Sequence, residues 1–440
     1  MTIKQIFAGQ GFGVIDVKDN AKVLHLTHDS RDVRFGSLFF AIRGGKTDGK
    51  MFIMNAISKG AVAVVTDEVI EGFPQIIVRD VRQSMALASK KFYKDACDKL
   101  KIIGITGTNG KTTTAHITEH ILKSSKIKTG LIGTLSNNLT TPDPIELHEI
   151  FYNFYKSGVK VVVMECSAHA IHLKKLAGIT FDVGVFTNLS VDHLDFFKDY
   201  REYADTKLGW FDKSIKTAIV NSDDKESERI DHDNIINFSI NDEVKFKSPL
   251  LGKFNRYNIL ASINTCRALK VSMRKIRRAL KTLKPVPGRF NTINICNVTA
   301  VVDYAHTPDG LENVISACKE ICKGRLITVF GCGGERDVGK RSVMGSIAGK
   351  LCDFTVVTSD NPRGESPMSI MVQIEAGVKL YTKNYKLIQD RAKAIDFAMN
   401  LAKDGDVVLV AGKGAEDHIE IGGKKIPFSD YEYLAGFDKN

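Results

Sequence analysis

No apolar run among the 440 residues is long enough to cross a bilayer, so a membrane-spanning helix is not expected. The opening residues, Met1 to Phe7, lack the apolar core and cleavage site of a signal peptide. Eight cysteines are scattered along the chain and none forms a Cys-x-x-Cys pair. Neither a structural zinc site nor a disulfide framework is therefore expected, which suits a reducing cytosol. Internal repeats, low-complexity tracts, RNA-binding signatures and helix-turn-helix signatures are all missing. A net charge of +11 could suit nucleic acid. The lysines are dispersed, however, and acidic small-molecule substrates explain the excess equally well. The expectation is a cytoplasmic monomer with no nucleic-acid or membrane partner.

What the chain does have begins at Lys101. Ile102 to Ile105 reads as a buried strand, and it runs into Gly107-Thr108-Asn109-Gly110-Lys111-Thr112. A helical pattern follows through Ile117, Ile121 and Leu122. Strand, glycine loop, Lys-Thr and helix make a phosphate cradle. Gly107 and Gly110 let backbone amides approach phosphate oxygens, Lys111 would reach the β- and γ-phosphates, and the Thr112 hydroxyl would ligate Mg²⁺. Ile105 stands where the general pattern has glycine.

The length suits two or three domains. Residues 1–98 read as an α/β domain, with strands at Leu38 to Ile42 and Ala61 to Val65 and helices around Phe52 to Ser58 and Ser84 to Tyr93. Its polar stretches Thr27 to Arg31 and Arg43 to Gly49 are turns by default. Residues 99–285 form a central domain. Its apolar runs Val159 to Met164, Val183 to Thr187 and Thr217 to Val220 alternate with helices, which implies a mostly parallel sheet. Residues 286–440 repeat that logic after a hinge at Pro285 to Gly288. Strands at Val298 to Val302, Leu326 to Phe330, Thr355 to Thr358 and Val407 to Val410 each end in glycine or charge. Ligands sit off the carboxyl ends of such strands.

Glu165 follows an apolar strand, and a carboxylate there can hold the Mg²⁺ that bridges phosphates. Asp192-His193-Leu194-Asp195 forms a second polar cluster. Spacing alone gives Lys207 no role, so a solvent-facing helix lysine is the default. Arg289, Arg336 and Arg363 lie in punctuated loops of the last domain, where they suit an anionic ligand or ordinary surface exposure.

The phosphate loop, Asn188 to Asp195 and Asp303 to Asp309 together resemble the Mur ligase family, in matching order along nearly the whole chain. Thr27 to Arg31, Glu165 to His169, Leu251 to Asn255 and Gly333 to Arg341 fit the branch that adds the third residue of the peptidoglycan stem peptide. Asp360-Asn361-Pro362-Arg363 is similar to the signature of its meso-diaminopimelate-adding members.

The resemblance implies a UDP-sugar domain, a central ATPase and a mobile Rossmann-like domain for the amino acid. It implies that the D-Glu γ-carboxylate of UDP-MurNAc-L-Ala-D-Glu attacks the γ-phosphate of ATP, and that diaminopimelate then displaces phosphate. Gly107 to Thr113 would bind ATP phosphates and Asp303 the ribose. Thr112, Glu165, His193 and a carbamylated Lys207 would place Mg²⁺. UDP-sugar contacts would fall on Ser30, Gly45, Lys46, Thr47, Thr140, Thr141, Ser167 and Lys175. Diaminopimelate contacts would fall on Arg336, Asp360, Asn361, Pro362, Arg363, Gly412 and Glu416. Lys175 stands where the family usually has Arg, Ala168 replaces a common Ser and Ala415 a common His. The loop 133–140 and the segment 224–250 are shorter than usual, the latter leaving room for a trimmed central sheet. The rivals are a Mur-type ligase using L-lysine, a folylpolyglutamate-like ligase, and a non-enzymatic nucleotide-binding regulator.

Overall fold

The computed structural model describes residues 1–18, 21–45, 47–137 and 139–437. Three mixed or parallel sheets follow one another along the chain, each covered by helices. In the first, the strands lie in the order Phe12–Ile15, Gln75–Val78, Ala61–Thr66, Ser37–Phe40, His25–Thr27. Only the Phe12–Ile15 pairing is antiparallel. Ser37–Phe40 is buried at every position, so it shows no polar alternation, as expected of a strand covered on both faces. The helix there begins at Val81 rather than Ser84, because the Asp80 side chain accepts from the Gln83 amide and caps it.

The central sheet is wholly parallel, in the order Ile235–Phe238, Ala218–Asn221, Val183–Phe186, Lys101–Thr106, Val161–Glu165, Thr129–Ile132. Ile105 lies opposite Glu165, and Thr106 opposite Phe186, so three strands end level. Glu165 is thus the last strand residue rather than a loop residue. The helices Lys111–Ser124 and Lys253–Ala268 bury Ile117, Ile121, Ile259 and Ile263 against one face. Pro144–Lys156 buries Leu147 and Phe151 on the other. The sheet is not trimmed: segment 224–250 supplies the edge strand Ile235–Phe238.

The third sheet runs Asn291–Ile295, Val298–Asp303, Val407–Ala411, Leu326–Phe330, Phe354–Val357, Tyr385–Leu387. Asn291–Ile295 is antiparallel to its neighbour and all other pairings are parallel. Asp303 and Phe330 both lie opposite Ala411, and Phe330 also opposite Val357. Four strands therefore release their following loops at one edge. A separate hairpin, His418–Ile421 with Lys424–Pro427, turns through Gly422 and Gly423, both at positive φ. The expected hinge is partly fixed in place: Val286 is buried, and a Cβ on Gly288 would collide with the Ala415 amide. Among the described residues no helix is long and apolar enough to cross a membrane.

Candidate functional site

The phosphate loop is built where only glycine fits. Gly107 has φ +146° and Gly110 φ +86°; a Cβ on the first would strike the Thr187 hydroxyl, and on the second the Asn258 side chain. Neighbouring strand ends hold the loop. Asn188 Oδ1 accepts from the Asn109 amide at 2.9 Å, and the Thr187 hydroxyl donates to the Asn109 carbonyl at 2.7 Å. Helix Lys111–Ser124 then starts with no side-chain cap, leaving its first amides free for an anion. Lys111 folds back, its Nζ donating to the carbonyls of Gly107 at 2.8 Å and Thr108 at 2.9 Å. Burial draws the Lys111 ammonium pKa down, while Glu165 and Asp192 oppose that.

Glu165 is 2% exposed. Its Oε2 accepts from the Thr112 hydroxyl at 2.9 Å and its Oε1 from the Thr134 amide at 2.9 Å. Arg289, from the start of the third unit, donates to the same Thr112 hydroxyl at 3.2 Å and stacks 4.5 Å over the Tyr304 ring. A hydroxyl beside a buried carboxylate suits Mg²⁺, which takes oxygen ligands and is usually held by few protein groups. No cluster of three or more His, Cys, Asp or Glu able to hold a metal occurs among the described residues, so any such ion would depend on those few oxygens.

Lys207 corrects the solvent-facing default. It is 1% exposed, lies over the Tyr203 ring at 4.6 Å, and has no hydrogen-bond acceptor among the described residues. Burial, reinforced by Lys111, pushes its pKa well below that of an ordinary lysine. A buried neutral amine of this kind can add CO₂ to give a carbamate. His193 adopts φ +57° and stands 3.4 Å from Asp192, with its ring 4.8 Å from that of His169. Burial lowers the His193 pKa, against the opposing pull of Asp192. Burial works against ionisation of Asp192 too, but His306, His193 and Lys340 hold it below the usual carboxylate range.

One cavity of about 540 Å³ is lined by Thr108 to Thr113, Thr140, Thr141, Glu165, Ser167, Lys175, His193 and Lys207, and also by Arg336, Asp360, Asn361, Arg363, Gly412 and Glu416. The central and third units thus face each other across it. Thr141 ties two of these positions together, donating to the Glu165 carbonyl at 2.9 Å and accepting from the Ser167 amide at 3.0 Å. Lys175 is paired with Asp143 at 2.8 Å. Arg336 spans the units to Asp195 at 3.5 Å.

A second cavity, about 280 Å³, shares Asn109, Gly110, Thr113 and Arg289 with the first and continues past Phe238, Phe254, Tyr257 and Asp303. The Asp303 carboxylate accepts from the amides of Phe290 and Ala305, each at 2.8 Å, and burial raises its pKa. It therefore shapes the loop as well as lining the pocket.

The Asp360–Arg363 turn is knit tightly. Asn361 Nδ2 donates to Glu416 at 2.8 Å, while its Oδ1 accepts from Lys413 Nζ at 3.1 Å and from the Glu420 amide at 2.9 Å. Both lone pairs of Oδ1 are thus used inside the protein, and Asn361 holds the turn rather than offering an acceptor to an ammonium group. Asp360 is buried, which raises its pKa against the pull of Arg391 and Lys413. Gly412, at φ +116°, leaves no room for a Cβ beside Asp360 Oδ2, which would lie 2.5 Å away.

Several expected positions lie elsewhere. Ser30, Gly45 and Thr47 are in the first unit and line neither cavity; Lys46 lies outside the described residues. Gly107 and Pro362 shape their loops without lining either cavity. Thr134, His306, Lys340 and Lys413 belong to the site and were not singled out from the sequence. For Lys413 the signal was available: a lysine flanked by Gly412 and Gly414 at the end of a buried strand.

Family models match three consecutive stretches: "Mur ligase family, catalytic domain" over 22–93, "Mur ligase middle domain" over 105–244, and "Mur ligase, glutamate ligase domain" over 288–414. A UDP-N-acetylmuramoyl-L-alanyl-D-glutamate–2,6-diaminopimelate ligase of Clostridium acetobutylicum is 39% identical, over 100% of this chain and 99% of its own length. The chain belongs to the Mur ligase family. A ligase of the same description from Caldanaerobacter subterraneus is 40% identical to this Mur ligase over 94% of each chain. A solved 2,6-diaminopimelate ligase superimposes with a TM-score of 0.68 at 29% identity, covering 99% of this Mur ligase and 98% of that chain.

Proposed function

We propose that this Mur ligase joins meso-diaminopimelate to UDP-MurNAc-L-Ala-D-Glu with hydrolysis of ATP, in cytoplasmic synthesis of peptidoglycan precursors. The observation that carries the reading is a single cavity with the phosphate loop on one wall and the Asp360–Arg363 turn on the other. Such a space brings a phosphorylated carboxylate and an incoming amine together and limits access of water. Residues 1–98 hold the UDP-sugar, 99–285 the ATP, and 286–440 the amino acid; the protein acts as a monomer.

The helix Lys111–Ser124 and Lys111 itself stabilise charge on the transferring phosphoryl group. A carboxylate oxygen of D-Glu bonds to the γ-phosphorus and ADP leaves. The amine nitrogen of diaminopimelate then bonds to the acyl carbon, phosphate leaves, and one proton is released. Thr112, Glu165, His193 and a carbamylated Lys207 would hold Mg²⁺, which would supply charge neutralisation at the phosphates. Asp303 orients the ribose. Ser167, Thr140, Thr141 and Lys175 steer the D-Glu end, and Ser30 with residues 45–47 takes the uridine end. Arg363 pairs the far carboxylate of diaminopimelate, with Arg336, Asp360, Gly412 and Glu416 around its charged groups.

The test is ADP release with UDP-MurNAc-L-Ala-D-Glu against a panel of amino acids. Turnover with diaminopimelate and little with L-lysine is expected. Turnover with glutamate on a folate substrate, and none with diaminopimelate, would replace this reading by the folylpolyglutamate-like one.

A further inference from the structure

The hairpin His418–Ile421/Lys424–Pro427 lines neither cavity, yet it is fastened to the amino-acid turn at several points. The Arg363 amide donates to the Glu420 carbonyl at 3.0 Å, and the Gly422 amide donates to the Arg363 carbonyl at 2.7 Å. The Glu420 amide donates to Asn361 at 2.9 Å. Arg363 pairs with Ile421 as an isolated parallel bridge, and its own φ is +51°, a left-handed conformation rare for a long side chain. The hairpin therefore holds the backbone of Arg363 where its local preference would not.

The side chain is held as well. Glu420 Oε2 lies 3.2 Å from Arg363 Nε, and the Gly334 carbonyl accepts from Arg363 Nη1 at 2.7 Å. Nη2 has no acceptor among the described residues, and Arg363 lines the larger cavity. A guanidinium carries five N–H donors in a rigid plane. With Glu420 at its Nε side and Gly334 on Nη1, that plane is fixed, and the Nη2 donors are left for a ligand.

Resting on the diaminopimelate reading, we infer that Glu420 is a positioning residue for amino-acid selection, acting through Arg363 rather than on the substrate. Its carboxylate stands at Nε, so a ligand carboxylate is confined to the outer edge of the guanidinium, in one orientation. Only the position of the far end of the amino acid is at stake; ATP and the UDP-sugar are bound elsewhere.

The experiment compares the full-length wild type with Glu420→Ala and Glu420→Gln, measuring KM for diaminopimelate, ATP and UDP-MurNAc-L-Ala-D-Glu, kcat, and the thermal midpoint. Glutamine keeps an oxygen at the same reach. Glu420→Ala is expected to raise KM for diaminopimelate about fivefold, the upper range for loss of a partly exposed ion pair. Glu420→Gln is expected to recover most of that. kcat and the other two KM values stay within about twofold of wild type, the scatter of an uninvolved surface change. An unchanged diaminopimelate KM in Glu420→Ala overturns the inference. So does a loss shared by all three substrates, which is the mark of a merely structural hairpin, or a glutamine variant no better than alanine. Wild type without diaminopimelate-dependent ADP release overturns the reading and the inference together.

Discussion

The two walls of the large cavity are finished to different degrees. On the central wall, Lys111 has only carbonyls of its own loop as partners, Lys207 has no acceptor, and the first amides of the helix are uncapped. On the opposite wall, Asn361, Lys413, Glu416 and Glu420 satisfy one another. The phosphate wall holds charge in reserve for a ligand that brings its own. The Asp360–Arg363 wall is pre-organised, and in the proposed reaction it would reject a wrong shape instead of adapting to it. A site that must stabilise a changing charge and a site that must recognise a fixed one call for these opposite treatments.

The rigid wall can be tested by its strictness. L-Lysine lacks the far carboxylate of diaminopimelate and would leave Arg363 Nη2 without a partner, so wild-type kcat/KM for lysine should be lower by about 10⁴-fold. Arg363→Ala should remove most of that preference while leaving ATP affinity unchanged. Equal use of the two amino acids by the wild type would mean that the turn selects nothing.

The reserve wall can be tested by removing its charge. Lys111→Ala should lower kcat about 10³-fold, the scale seen when one preorganised donor to developing charge is lost. The melting curve should be little altered, because Lys111 bonds only to its own loop. Turnover near the wild-type level would break the comparison at its centre. Lys207→Ala should lower kcat by about 10²-fold or more, as loss of a group supporting a metal does. Added formate or acetate should restore part of it by replacing the carbamate oxygens. An unmodified Lys207 in a crystal of the active enzyme would remove that role.

The smallest effect concerns the scaffold behind the rigid wall. Arg341, 1% exposed, holds Glu365, and that hydrogen bond keeps the Glu365 carboxyl below its ordinary pKa. A depressed carboxylate stabilises the fold fully above its unfolded pKa, and that contribution is lost as pH falls through the folded value. Glu365→Gln should therefore cost about 1 kcal/mol at pH 7 in urea titration. The gap to wild type should close below the usual carboxylate range. A gap independent of pH would assign the effect to packing.

What the sequence revealed was local. The phosphate loop is legible because strand, glycines, lysine and helix are contiguous, and Glu165 because a β-branched run ends at it. The parallel sheets were legible from apolar runs without alternation. Lys207 was misread because a lysine is exposed by default, although it lies four residues after Tyr203 on the helix face that also buries Ala204 and Leu208. Arg289 reaches Thr112 across 177 positions of chain, and no local period signals that. The family resemblance supplied positions without their bonding, so the saturation of Asn361 appeared only with Lys413 and Glu420 in place. The Gly422-Gly423 hairpin is a miss of another kind, since two glycines between short runs are a turn signal.

The Thr112 hydroxyl serves two masters from two units, giving its proton to Glu165 and a lone pair to Arg289. Nearby, Asn109 donates to Asp309 across the same gap at 2.8 Å. A ligand that claims the second lone pair of the Thr112 oxygen would weaken the one Arg289 uses. Occupancy of the phosphate loop and the seating of the third unit would then be coupled variables, and coupling of binding equilibria is reciprocal. If nucleotide loosens the seat by some factor, clamping the seat must weaken nucleotide by that same factor. The angle between the two units would then be a readable gauge of what the phosphate loop contains.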